Sequence, residues 1–164
     1  MVRVRLAAWE EIPTAARVVC AAWKTAYRGL VPDADIAKYT DTERKTESLE
    51  RLIRGGLNLF VAEENGEICG AGSFGADEND PKLAYLMQLY VAPEKQGGGI
   101  GTALLERICD EAAACGFSGV VLNTLEQNTK ARRFYEKHGF VYAGAADSPI
   151  FSERVVCAFY RKVF

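Results

Sequence analysis

The residues with the clearest chemical potential are four glycines, Gly97, Gly98, Gly99 and Gly101, in the stretch QGGGIGT. They follow an apolar segment that ends in LYVA and precede a segment with helical periodicity. The first N–H groups of a helix lack partners within the helix and carry a partial positive charge. Glycines there let an anion reach those groups, because no Cβ atom stands in the way. The stretch therefore predicts a phosphate site, to which Thr102 adds a hydroxyl, with a flexible turn as the alternative.

Two common nucleotide motifs do not fit this glycine-rich loop. A P-loop needs a lysine directly after its last glycine, and no lysine follows Gly101. The dinucleotide fingerprint GxGxxG would place its third glycine at Thr102 or at Leu104, depending on where it starts. The loop also lies in the middle of the chain, whereas a Rossmann domain usually carries it after the first strand. A nucleotide-dependent oxidoreductase is therefore only a weak alternative.

Three polar residues further along the chain are also candidates for a functional role. Asn128 stands where LEQN meets a predicted helix, which is where an N-cap residue is expected. Tyr135 follows seven residues later on the same helical face, and the sequence leaves a core role and a chemical role open. His138 is the only histidine and lies at the helix end, where we expect an exposed capping residue rather than a base.

The elements that position these residues alternate in type along the chain. Asn65-Gly66 between two apolar runs predicts a β-hairpin. The order β-α-α-β-β-β-α-β-α-β-β predicts an α/β fold with a mixed central sheet of about seven strands, flanked by about four helices. Helical signals cover residues 10–27, 42–54, 100–115 and the stretch NTKARRFYEKH, and Pro32 with Asp33 begins a short helix.

The composition is that of an ordinary globular protein. Of the 164 residues, 49% are hydrophobic and 26% are charged, and this length predicts a single domain over residues 1–164. A net charge of −2 provides no basic surface, so neither nucleic acid nor a membrane is an expected partner. Five cysteines without a CxxC pair, and a start without a secretion signal, predict reduced thiols and a cytoplasmic location.

Two motifs give the chain a resemblance to a known family. The stretch LYVAPEKQGGGIGTALL resembles the acyl-CoA-binding motif of the GNAT N-acetyltransferases, Q/R-x-x-G-x-G/A, whose fixed positions are filled by Gln96, Gly99 and Gly101. The stretch LNTLEQNTKARRFYEKHGFVYAG is similar to the downstream motif of the same family. The predicted order of elements matches the GNAT fold as well. The resemblance implies an N-acetyltransferase that moves an acetyl group from acetyl-CoA to a primary amine.

The resemblance also implies where acetyl-CoA binds as co-substrate, without a metal. Its pyrophosphate would lie on the N–H groups of residues 97–102, and its pantetheine arm would pair with the strand before the loop. Tyr135 matches a position that often acts as general acid on the leaving thiolate, and the N–H of Leu89 would polarise the thioester carbonyl. The implied cofactor-binding residues are Leu89, Tyr90, Val91, Gln96, Gly97, Gly98, Gly99, Ile100, Gly101, Thr102, Asn128 and Tyr135.

A catalytic base is missing from the positions where some relatives carry glutamate. Tyr85 and Asn123 occupy those positions in this chain. Tyr85 is the preferred candidate for the base, because its strand directs it towards the acceptor cleft, and Glu126 or a water chain are alternatives. The lack of a fixed carboxylate leaves a second hypothesis open, a non-catalytic acyl-CoA sensor with the same fold.

The acceptor pocket is expected between the first helix with its loop and the last loop, DSPIFSE. Trp23, Tyr27 and Asp33 are the predicted substrate-binding residues, and Asp147 and Glu153 are further carboxylates that can attract an ammonium group. The sequence does not decide the identity of the acceptor. It is either a small-molecule amine, such as a polyamine, an aminoglycoside or an amino acid, or a protein N-terminus or lysine. A homodimer through the C-terminal strands is compatible with this fold.

Overall fold

A computed structural model describes residues 1–164 and shows helices packed on both faces of one seven-stranded sheet. The strands are β1 (Val2–Leu6), β2 (Asn58–Glu64), β3 (Glu67–Ala76), β4 (Ala84–Val91), β5 (Gly119–Leu125), β6 (Val141–Asp147) and β7 (Val156–Val163). The helices are α1 (Ile12–Tyr27), α2 (Asp33–Tyr39), α3 (Thr42–Arg54), α4 (Ile100–Ala114) and α5 (Thr129–Lys137).

These elements confirm the predicted α/β fold. The five helices include the short α2, so their number is one above the expected four. Helix α1 begins at Ile12, two residues later than predicted, because the preceding residues Trp9–Glu11 form a 3-10 turn. The hairpin at Asn65-Gly66 is confirmed, since both residues have the positive φ angles that a tight two-residue turn requires. None of the helices has the length and apolarity needed to cross a membrane.

The sheet contains one parallel pair of strands, β4 and β5. Its strand order is β1-β2-β3-β4-β5-β7-β6, and every neighbouring pair is antiparallel except β4 and β5, which are parallel. That parallel contact consists of only two pairs, Ala84 with Val120 and Tyr85 with Val121. Beyond these pairs the two strands separate, and we call the space between residues 86–91 of β4 and 122–125 of β5 the β4–β5 gap.

A β-bulge in β4 accompanies this separation. On β3, Ser73 pairs with Gln88 while the next residue, Phe74, pairs with Leu86, so Met87 is an extra residue on β4. A bulge bends its strand and increases the local twist. The bend falls directly after the two pairs with β5, so it accounts for the gap that follows them.

Helix α4 is held tightly against one face of the sheet. Its residues Ile100, Leu104 and Ile108 are spaced four apart, and all three are buried in the larger core cluster. The glycines of β3 permit this close approach, because a Cβ atom at Gly70 would lie 2.9 Å from Leu104 Cδ1 and one at Gly72 would lie 2.6 Å from Ile108 Cδ1. The position of the α4 N-terminus relative to β4 is therefore fixed by packing.

Helices α1 and α3 cover the opposite face. Buried residues of α1, among them Ile12 and Val19, meet Leu49 of α3 and the inward side chains of β2 and β3 in a second core cluster. The C-terminal half of α1 continues along the sheet to Trp23, which joins a third cluster with Leu125 of β5 and Cys157 of β7. The end of α1 is thus placed beside the β4–β5 gap.

Candidate active site

The loop between β4 and α4 leaves six consecutive backbone N–H groups without a partner. The first hydrogen bond of α4 runs from Ala103 N to Gly99 O, and none of the N–H groups of residues 97–102 donates to a protein acceptor. Gly97 and Gly99 have φ angles of 87° and 84°, in the left-handed region that favours glycine. A Cβ atom at either position would meet no atom within 4 Å. The loop is an open cradle of N–H donors, as an anion requires.

The edge of β4 that lines the gap also presents free N–H groups. Ala92 N donates to Cys69 O on β3 at 2.8 Å, and alternate residues of a strand face alternate sides. The N–H groups of Leu89 and Val91 therefore point away from β3 and into the β4–β5 gap. The carbonyl of Val91 is already occupied, because Gln96 Nε2 donates to it at 3.1 Å. The N–H groups of Leu89 and Val91, and the Leu89 carbonyl that points to the same side, remain for the arm of a ligand.

The side chain of Gln96 shapes the loop rather than facing the cradle. Besides its bond to the Val91 carbonyl, its Oε1 accepts a hydrogen bond from Lys130 Nζ at 3.1 Å. Ile100, another predicted cofactor-binding residue, has its side chain buried in the core. Ile100 can therefore contribute to a phosphate site only through its backbone N–H, whereas the N–H of Gln96 already donates to Pro93 O. The N–H donors at 97–102 and along β4 fit a ligand that joins an anionic group to an amide-containing arm, as coenzyme A does.

Four tyrosines from three elements meet at the β4–β5 gap, and we call them the tyrosine cluster: Tyr27, Tyr85, Tyr90 and Tyr135. The hydroxyls of Tyr27 and Tyr90 lie 3.0 Å apart in a hydrogen bond. Burial raises the pKa of all four phenols, and the proximity of Tyr27 and Tyr85 raises the pKa of Tyr135 further. Tyr135 packs in the core on the α4 face, and Tyr27, in the cluster beside α1, is near enough to raise its pKa.

Tyr135 is a buried tyrosine whose hydroxyl stays protonated. Its side chain is only 9% exposed, yet its hydroxyl makes no hydrogen bond within the protein and is reached by solvent. Burial first, and then the neighbouring phenols, raise its pKa well above the ordinary value, so the hydroxyl keeps its proton at neutral and alkaline pH. Asn128 begins the same helix, and its side chain accepts from Ala131 N at 3.2 Å. The predicted N-cap is confirmed, and it fixes the start of the helix that carries Tyr135.

The structure argues against Tyr85 as the base. Burial raises the pKa of Tyr85, so this phenol is protonated at neutral pH and cannot take a proton from an ammonium group. Its oxygen accepts a hydrogen bond from Asn123 Nδ2 at 2.7 Å, a contact that the sequence did not predict. The two residues that stand where some relatives carry glutamate are thus paired with each other. Glu126, the alternative, is exposed at the end of β5.

The aromatic residues of α1 line the other side of the gap. Trp23 is 8% exposed and its ring lies 4.3 Å from that of Tyr27 in an edge-to-face contact. Trp23 also contacts Tyr39 of α2 and Phe151 of the last loop. The predicted substrate-binding residues Trp23 and Tyr27 therefore lie together, in a largely apolar wall.

Asp33 does not lie in this wall. It is exposed in the first turn of α2, whereas Asp35, two residues later, is 5% exposed. Asp35 accepts from Ser152 Oγ at 2.8 Å and from Ser152 N at 3.1 Å, which ties α2 to the last loop. The sequence contains both carboxylates in one short helix. Only the contact with a residue 117 positions away distinguishes the buried one from the exposed one.

The remaining carboxylates of the last loop face solvent. Asp147 forms an exposed ion pair with Arg154 at 3.1 Å, and Glu153 is exposed. No group of three or more His, Cys, Asp or Glu side chains converges closely enough to hold a metal ion. The charges near the acceptor side are therefore solvated groups at its rim.

His138 is half-buried, not exposed as predicted. It caps the C-terminus of α5, as expected, but its ring also connects α5 to α4. Nδ1 lies 2.8 Å from Phe134 O, and Nε2 lies 3.2 Å from Thr102 Oγ1. The hydroxyl that the sequence assigns to the phosphate site is thus engaged with an imidazole 36 residues away.

Comparison with known proteins places this geometry in a family. Residues 19–140 match the model of the acetyltransferase (GNAT) family. The chain is 30% identical to the "Probable N-acetyltransferase" of Mycobacterium tuberculosis over 85% of this chain and 79% of that protein. It is 32% identical to the L-amino acid N-acyltransferase MnaT of Escherichia coli, over 62% of this chain and 60% of that protein. It thus spans less than two thirds of the second relative.

Solved structures share the fold over the full length. The PaiA N-acetyltransferase of Thermoplasma acidophilum, in complex with coenzyme A, superposes with a TM-score of 0.81 over 100% of this chain and 99% of that chain, at 21% identity. The family match includes the glycine-rich loop, β4 and α5, and its relatives are enzymes. The interpretations as an oxidoreductase and as a non-catalytic sensor are therefore set aside. The chain belongs to the GNAT family of acetyltransferases, and it is an acetyl-CoA-dependent N-acetyltransferase.

Proposed function

We propose that this enzyme holds the pyrophosphate of acetyl-CoA on the six N–H groups of residues 97–102 and acetylates a primary amine beside the tyrosine cluster. The observation that carries the proposal is the row of unpaired N–H groups next to the open β4–β5 gap. A hydrogen bond to a charged group contributes about 1.5–3 kcal/mol, so several such contacts suffice to anchor the co-substrate. The field of the α4 N-terminus adds to this attraction.

The N–H groups of β4 position the reacting end of the co-substrate. In this proposal Val91 N–H binds an amide carbonyl of the pantetheine arm, and Leu89 N–H donates to the carbonyl oxygen of the thioester. That donation strengthens as negative charge develops on the oxygen, so it lowers the barrier to attack. Tyr90 offers the co-substrate neither its hydroxyl, which is bonded to Tyr27, nor its backbone N–H, which faces Ala71 of β3.

Tyr135 protonates the leaving group. As the amine nitrogen bonds to the acetyl carbon, the C–S bond breaks, and the Tyr135 hydroxyl donates its proton to the sulfur, while water returns a proton to the phenol. A phenol with a raised pKa remains protonated and available for this step. Water accepts the proton that the amine loses. Tyr85 accepts a hydrogen bond from the amine and orients it, which requires only the neutral phenol.

The acceptor is a primary amine whose remainder lies against Trp23 and Tyr27. Asp33 at the rim attracts its ammonium form before binding, as an exposed carboxylate can do over several ångströms. The relative named for L-amino acids makes free amino acids the first class to test. The class is identified by incubating the enzyme and acetyl-CoA with a panel of amino acids, polyamines and peptides with free N-termini. Turnover of each acceptor is measured as the free thiol released from acetyl-CoA.

We propose further that two copies associate through the C-terminal strands. Strand β6 is an edge of the sheet, and its residues Val141 and Tyr142 are 68% and 49% exposed. An exposed apolar edge strand is a template for pairing with another strand. Sedimentation velocity should show a dimer that the substitution Val141→Lys converts to a monomer. A monomeric wild-type protein at high concentration would exclude this interface.

The glycine-rich loop is tested by Gly99→Ala, with Gly116→Ala as the matched control. Both glycines have left-handed φ angles, 84° and 94°, and open space around the Cβ position, but they lie at opposite ends of α4. Each substitution should lower the free energy of unfolding by about 1–2 kcal/mol, because a side chain is strained there. Only Gly99→Ala should weaken coenzyme A binding, by about tenfold or more in calorimetry. Equal affinities of the two variants would contradict the proposed phosphate site.

The acid is tested by Tyr135→Phe, with Tyr142→Phe as the control for an exposed phenol. Turnover should fall by about a hundredfold in Tyr135→Phe, because general acid catalysis typically contributes that much or more. The control should keep wild-type turnover. Since the pKa of Tyr135 is raised, wild-type turnover should hold until the pH passes the ordinary tyrosine range, at about pH 10. Full turnover by Tyr135→Phe throughout this range would remove the acid from the mechanism.

A further inference from the structure

We propose that His138 is a positioning residue for Thr102: when neutral it draws the Thr102 hydroxyl hydrogen away from the phosphate site, and when protonated it releases that hydrogen towards it. The inference rests on the proposed binding of coenzyme A at the N-terminus of α4. It adds a proton-linked control of that site, which neither the glycine-rich loop nor the tyrosine cluster supplies.

The geometry fixes which ring nitrogen carries hydrogen. Nδ1 lies 2.8 Å from the carbonyl oxygen of Phe134, and a carbonyl only accepts, so Nδ1 carries a hydrogen in both protonation states. Neutral His138 therefore has a bare Nε2. Thr102 Oγ1 lies 3.2 Å from it and donates its only hydrogen there. In this state the hydroxyl has no hydrogen left for a ligand.

Protonation reverses this bond. With hydrogens on both nitrogens, Nε2 donates to Thr102 Oγ1, and the hydroxyl hydrogen becomes free for another acceptor. Thr102 is the third residue of α4 and belongs to the row of unpaired N–H groups at residues 97–102. A phosphate oxygen bound there is the acceptor that the freed hydrogen can reach. Protonated His138 should therefore favour the anion, and by reciprocity the bound anion should favour protonated His138.

The ring is accessible to protons, and its charged neighbours are few. His138 lines a surface cleft with Glu106, Cys109 and Asp110 of α4 and with Lys162 of β7. Lys162 Nζ donates to the His138 carbonyl at 2.9 Å, and burial raises the pKa of Cys109, which keeps that thiol neutral. On its own helix the ring packs at a tilt against that of Phe134, with centroids 4.5 Å apart. Glu106, Asp110 and Lys162 are thus the charges that share the cleft, and none of them contacts the two ring nitrogens.

The test uses dephospho-coenzyme A as the probe. This molecule keeps the diphosphate, whose charge is constant near neutral pH, but lacks the 3′-phosphate monoester, which itself titrates near pH 6. Affinity is measured by calorimetry between about pH 5 and pH 8, the range in which histidine titrates. The pKa of the imidazole is measured by NMR with and without the probe. The assignment is unambiguous because the sequence has a single histidine.

The probe should bind the wild-type protein about fivefold more tightly at the low end of this range, a modest coupling between two sites. The pKa of His138 should rise by about 0.7 on binding, which is the same factor on a logarithmic scale. Thr102→Val removes the hydroxyl at nearly constant shape, so it should reduce both effects to less than about twofold. Thr129→Val, an exposed threonine at the start of α5, should leave both effects unchanged.

Two results would overturn this inference and leave the proposed phosphate site intact. One is binding of the probe with no dependence on pH and no change in the His138 pKa. The other is a wild-type change that persists in Thr102→Val, which would mean that the charge of the imidazole acts through space and not through the hydroxyl. No binding of the probe or of coenzyme A at any pH would instead overturn the proposed phosphate site itself.

Discussion

A helix cannot satisfy its own first N–H groups, and in this protein that deficit is concentrated at the start of α4. Six consecutive N–H groups, from Gly97 to Thr102, have no acceptor in the protein, and no side chain caps the helix at Gly99. Most helices solve this problem with a capping side chain, as α5 does with Asn128. The unpaired row at α4 is held rigidly by the packing of Ile100, Leu104 and Ile108 on β3. Rigid, open donors are what a diphosphate requires.

The geometry of the site also depends on the bulge in β4, because the bulge separates β4 from β5 and opens the β4–β5 gap. After the two pairs with β5, the strand bends away at Met87, and the N–H groups of Leu89 and Val91 face the gap instead of a neighbouring strand. The gap lies between the two faces of the sheet, and Tyr27 from the α1 face is near enough to Tyr135 from the α4 face to raise its pKa. The same distortion thus exposes the N–H groups that we propose for acetyl-CoA and brings the proposed acid, Tyr135, near the aromatic residues of α1.

Local patterns were sufficient to predict the elements and the open glycine-rich loop at the start of α4. Glycine content, helical spacing and the Asn65-Gly66 pair depend on neighbouring residues, and the elements predicted from them are present in the structure. Contacts between distant positions were not predictable in this way. Asp35 rather than Asp33 is buried because Ser152 approaches it, and His138 is half-buried because Thr102 does. The raised pKa of Tyr85 follows from burial between elements, which spacing along one strand does not reveal.

The most direct test of this account is an NMR titration that follows the backbone amides of the ¹⁵N-labelled protein as coenzyme A is added. If the N–H groups of residues 97–102 bind the diphosphate, their signals should shift more than any others and their exchange with solvent should slow. The amides of Leu89 and Val91 should follow, since they line the gap. Binding that leaves the signals of residues 97–102 unchanged, with the largest shifts elsewhere in the chain, would contradict the central claim.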